Sequence, residues 1–119
     1  MEFKQKQTIY LQIAESICEK IISGLLTEGN KISSIRSLAV DLEVNPNTVQ
    51  RTYEHLQSEG IIYTQRGLGY FVSEGAKSKI KQRRKAKFLE KELPSLFKNM
   101  SLLDIDIELI VKKHKEFKK

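Results

Sequence analysis

The side chains richest in recognition chemistry crowd into one short run, Asn45-Pro46-Asn47-Thr48-Val49-Gln50-Arg51. Asn and Gln amides pair with adenine edges and an Arg guanidinium with guanine, so Asn47, Gln50 and Arg51 are candidate readers of base edges. Thr48 and the first backbone N–H groups of a helix starting here suit phosphate, helped by the helix dipole. A solvated polar face is the plainer alternative. Arg36, at the start of an earlier helix, can reach a phosphate or a base at a groove edge, or form a surface ion pair with Asp41 or Glu43. In Gln65-Arg66-Gly67-Leu68-Gly69, Arg66 can enter a minor groove, and glycine lets the backbone approach closely. The same five residues also make an ordinary hairpin turn. They make a poor nucleotide-binding loop, lacking a third glycine and opening no helix.

Enzyme chemistry is not visible. No carboxylate pair stands in a sensible context, and no Ser/His/Asp or Cys/His arrangement occurs. His55 and His114 are isolated and read as surface histidines, so no metal and no cofactor are expected. Cys18, the single cysteine, reads as a small buried apolar residue on a helix and cannot form an internal disulfide.

These residues need elements to hold them. Ile9, Ile13, Ile17 and Ile21 recur every four residues, widened by Tyr10, Ala14, Cys18 and Ile22, and predict a helix over 9–23 stopped near Gly24. Ser33 and Ser34 are cap candidates for a short helix to about Leu42, with Ile35, Leu38, Ala39 and Leu42 inward. After a break at Glu43-Val44-Asn45, Asn45 is the best cap and Pro46 fits the first helical position, starting a helix to about Glu59. Its inward residues are Val49, Tyr53 and Leu56. Ile61–Thr64 and Tyr70–Val72 are β-branched and aromatic runs around a glycine-rich tip, a hairpin. Three helices and a hairpin predict a winged helix-turn-helix over residues 1–75, in a chain that is mainly α with one small β-hairpin.

Residues 76–119 read as a two-helix tail. Lys77, Lys79, Lys81, Arg83, Arg84, Lys85, Lys87 and Lys91 form a basic run that contacts phosphates or is the solvated face of a pairing helix. Pro94 kinks or restarts the helix, and Asp106 caps a last one over 107–117, with Ile105 and Ile110 as a hydrophobic staple. Ile80, Phe88, Leu89, Leu93, Leu96, Phe97, Leu109 and Ile110 are the candidate dimerisation residues.

Charge is divided unevenly. Residues 1–75 carry seven Lys/Arg against nine Asp/Glu, and residues 76–119 carry fourteen against six, so the net +6 comes from the tail. DNA binding by the N-terminal part must therefore rest on placed residues and not on bulk charge. No apolar run approaches the length of a membrane span, and Met1-Glu2-Phe3-Lys4 precedes no apolar signal segment; with one cysteine, the cytoplasm is the expected compartment.

Residues 9–74 resemble the winged helix-turn-helix of the GntR family of bacterial regulators. The resemblance rests on Ile9–Ala14, Ile22-Ser23-Gly24, Ser34–Ala39, Val44–Tyr53, Glu59–Ile62 and Arg66–Val72. It implies that Arg36, Asn45, Asn47, Thr48, Gln50 and Arg51 contact DNA and that Arg66 and Gly67 reach a minor groove. Ile32-Ser33 stands where Leu-Pro is usual, Glu43 where the turn usually has glycine, and Leu68 where a basic residue is common. The short tail resembles the YtrA-like subfamily, whose two C-terminal helices make the dimer and which often represses membrane-transporter operons. The expected partners are thus double-stranded operator DNA and a second copy of the chain. No residue pattern identifies a small-molecule effector, and the tail leaves little room for a pocket. A non-specific architectural DNA-binding protein and a protein-interaction module that kept the fold are the rival readings.

Overall fold

A computed structural model describes residues 8–119. The Met1–Lys4 reading and the first seven residues of the expected DNA-binding segment lie outside that range. The chain forms two compact units, the first running to Gln82 and the second from Arg83 to Lys119. The first therefore extends seven residues beyond the boundary expected at 75.

In the first unit, α1 (Ile9–Ser23) buries Ile13, Ala14, Ile17 and Ile21 and stops at Gly24, which takes φ 91°. Ser34 caps α2 (Ile35–Leu42), its hydroxyl accepting the Ser37 N–H at 3.1 Å. The bend out of α2 is made by Glu43 at φ 56°, ψ 47°. A left-handed residue there lets its N–H turn back onto the last helical carbonyls, of Ala39 and Val40, so the usual turn survives without glycine. Asn45 and Pro46 start α3 (Pro46–Ser58), which buries Val49, Thr52, Tyr53 and Leu56. Hydrophobic burial on these spacings packs α3 against both α1 and α2.

The hairpin of β2 (Ile62–Gln65) and β3 (Gly69–Val72) pairs Ile62 with Val72 and Gln65 with Gly69. A third strand, β1 (Lys31–Ile32), joins the other edge of β3 antiparallel, pairing Lys31 with Phe71 and Ile32 with Tyr70. Two residues are too few to show a period, so β1 left no signal in the sequence pattern. It matters because it makes β3 a central strand and anchors the wing beside α2.

The helix α4 (Ala76–Lys87) begins in this unit. Ala76 and Ile80 are buried in the same core as α1, α3 and the sheet, at 0% and 4% exposure. Ile80 is thus corrected from a pairing residue to a core residue: its side chain is already covered within its own chain.

In the second unit a π-helical turn (Phe88–Glu92) leads from α4 into α5 (Leu93–Leu102). Pro94 lacks an N–H, and its ring crowds the carbonyl a turn earlier; the wider turn just before it relieves both. Asp106 caps α6 (Ile107–Phe117), its carboxylate accepting the Leu109 N–H at 3.1 Å. Met100 is the one buried apolar side chain among the described residues of this unit.

Candidate nucleic-acid interface

The start of α3 is built so that side chains, and not backbone, face outward. Asn45 accepts the Asn47 N–H at 2.7 Å, the Thr48 N–H goes to the Asn45 carbonyl at 2.9 Å, and Pro46 has no N–H. The Asn47 and Thr48 N–H groups are therefore already satisfied within the chain. Asn45 itself works as the cap. Asn47, Gln50 and Arg51 are exposed and Thr48 is half-buried, while Val49, Thr52 and Tyr53 beneath them are 0–1% exposed. Helical periodicity separates the two sets: the polar shoulder and the core stripe are opposite faces of one helix.

Each outward side chain has its own setting. Gln50 donates from its amide to Glu54 at 3.3 Å, one turn along the helix. Arg51 lies over the Tyr10 ring, 4.0 Å from its centroid. Arg36 is exposed in the first turn of α2. Arg66, Gly67 and Leu68 form the exposed wing tip, where Gly67 takes φ 77° and the Leu68 N–H bonds the Gln65 carbonyl at 2.8 Å. Arg36, the α3 shoulder and the wing thus all belong to one compact unit.

That unit is braced from below. The buried Tyr53 hydroxyl donates to the Ser33 carbonyl at 2.7 Å, tying α3 to the approach to α2. Its ring meets Tyr70 of β3 edge-on at 4.8 Å. Burial, and then Tyr70, push the Tyr53 phenol up from its ordinary value of 10.0 to about 12. Gln57 donates to the Thr64 hydroxyl at 2.9 Å and so links α3 to β2. Tyr10 is the residue the sequence pattern misplaced in role. Its spacing made it part of the apolar stripe of α1, and nothing local in the sequence signals a partner on α3.

Two helices joined by a tight turn, a third helix behind them and a sheet wing define a winged helix-turn-helix, the DNA-binding class of transcriptional regulators. The profile of bacterial regulatory proteins of the gntR family matches residues 9–72, more than half the chain, and the protein belongs to that family. It is 35% identical to the transcriptional repressor YtrA of Bacillus subtilis over 84% of this chain and 76% of that one. A GntR-family regulator from Bacteroides thetaiotaomicron superposes with a TM-score of 0.79 at 46% identity, covering 92% and 96% of the two chains. The AraR DNA-binding domain, solved in complex with its operator, superposes at 0.57 with 26% identity, over 61% of this chain and 88% of that one. The chain is accordingly a YtrA-like, GntR-family transcriptional regulator and not an enzyme. Among the described residues no helix is long and apolar enough to cross a membrane.

Proposed function

We propose that the protein is a repressor that binds a near-palindromic operator as a homodimer in the cytoplasm. The observation that carries this is the exposed shoulder of α3, where Asn47, Gln50 and Arg51 lie on the face opposite the residues that the same helix buries in the core. Asn47 and Gln50 suit adenine and Arg51 suits guanine. Arg36 and Thr48 suit phosphate, and Arg66 beside Gly67 suits the minor groove. Pairing falls to Phe88, Leu89, Leu96, Phe97 and Leu109, which are 38–51% exposed in the single chain, together with the half-buried Leu93 and Ile110. Two copies joined there would present two α3 helices to half-sites ~34–36 Å apart, or a multiple of that. Repression follows from the likeness to a repressor, and the resemblance of the short tail to the YtrA-like subfamily extends the proposal to genes of membrane transport.

The test uses duplexes selected by the full-length protein from a randomised pool. Arg51→Ala should lose ~1–3 kcal/mol of binding to the selected duplex and relax preference at its base pair. Unchanged affinity would remove Arg51 from the groove. Competition with random DNA at fixed salt separates this reading from non-specific architectural binding, because a specific binder prefers its site by ~10³ or more.

A further inference from the structure

We infer that Tyr10 is a specificity-determining positioning residue: its ring orients the Arg51 guanidinium that reads the base. The inference rests on the proposed reading of Arg51. Tyr10 lies in the first turn of α1 and Arg51 in the second turn of α3, so no local sequence relation joins them. Their side chains nevertheless meet, with the guanidinium carbon 4.0 Å from the ring centroid. The opposite constraint comes from below. The fully buried Thr52 hydroxyl donates to the Tyr10 backbone carbonyl at 2.8 Å, and lies 3.1 Å from the Thr48 carbonyl. That bond fixes the first turn of α1 against α3 whatever side chain residue 10 carries. The ring is also met edge-on by His55, one turn beyond Arg51, with centroids 6.0 Å apart. Tyr10 is therefore held by its backbone from one residue of α3 and flanked at its ring by two others.

The consequence for recognition follows from guanidinium geometry. An arginine carries much rotamer entropy, and ordering it on DNA costs affinity unless something has already ordered it. Stacking on an aromatic face occupies the flat of the guanidinium and leaves its in-plane N–H fork available for a bidentate guanine contact. A hollow of about 290 Å³, lined by Thr8, Ile9, Tyr10, Asn47, Thr48 and Arg51, opens beside the pair. The ring thus borders the same concavity as two of the base-reading side chains and acts on the operator through Arg51.

The experiment measures full-length protein on the selected duplex, on the same duplex with the Arg51-dependent base pair exchanged, and on random DNA. Tyr10→Leu should lower discrimination at that base pair roughly two- to fivefold for each recognition helix, the worth of an exposed cation–π contact. Tyr10→Phe, which keeps the ring, should restore it. In an Arg51→Ala background Tyr10→Leu should have no further effect on discrimination. Equal losses on all three DNAs, or a loss that persists without Arg51, would overturn the inference in favour of a merely structural role. If Arg51→Ala abolishes discrimination while Tyr10→Leu leaves it intact, only the role of Tyr10 fails. If Arg51→Ala itself changes nothing, the base-reading assignment fails and takes this one with it.

Discussion

The two units of this protein solve the problem of apolar surface in opposite ways. Among its described residues, the unit ending at Gln82 gathers fourteen apolar side chains into one cluster from four helices and the sheet. The unit from Arg83 to Lys119 buries Met100 and leaves ten large apolar side chains exposed, among them Phe88, Phe97, Leu102, Leu103 and Phe117. A helix that cannot bury its apolar stripe within its own chain gains by burying it elsewhere, at about 25 cal/mol per Å² covered. Under the proposed function, reading DNA and pairing fall to different stretches of chain. The boundary between the two units falls after Ile80, whose side chain belongs to the core of the first.

The largest expected effect comes from cutting at that division. A chain ending at Gln82 should stay folded but sediment as a monomer, with operator affinity lower by roughly 10²–10⁴-fold, because the second half-site is no longer tethered. A dimeric fragment would show that pairing does not need residues 83–119. Next, Leu56→Ala should cost about 2–5 kcal/mol in thermal or denaturant unfolding, as a cavity in a closed core does. Phe97→Asp should instead leave the DNA-binding core intact and raise the dimer dissociation constant in sedimentation. Equal effects of the two changes on unfolding would erase the distinction between the units.

Smaller effects are expected from single contacts within the first unit. Tyr53→Phe removes the bond to the Ser33 carbonyl and should cost about 1 kcal/mol. The folded phenol has its pKa raised from 10.0 to about 12, so above pH 10 the unfolded chain ionises first. Stability from this group is full below pH 10 and is lost as the pH climbs toward about 12; Tyr53→Phe should flatten that alkaline fall in a pH series of melts. Glu43→Gly should raise stability by roughly 0.5 kcal/mol, since glycine adopts the left-handed turn without a Cβ penalty but pays more backbone entropy. A lower melting temperature would mean that the Glu43 side chain contributes a contact worth more than the strain.

Much of the molecule was legible from spacing alone, where the determining interactions are local. Helix starts depend on a side chain two or three residues from the N–H it satisfies, and so Ser34, Asn45 with Pro46, and Asp106 announced α2, α3 and α6. The four-residue recurrence from Ile9 to Ile21 and the paired apolar runs around Gly67 likewise marked α1 and the wing. The polar shoulder of α3 was readable because the cap at Asn45 and the buried stripe of Val49, Tyr53 and Leu56 fix by helical period which residues face outward.

Tertiary structure decided what depends on partners far along the chain. It put Lys31 and Ile32 on the edge of a strand forty residues away, and drew Ile80 inward where its own helix pattern did not choose between core and interface. It also brought Tyr10 under Arg51. A helical or strand period states that a residue has a face; which surface that face meets is settled only when the chain closes and the competing burial energies are compared.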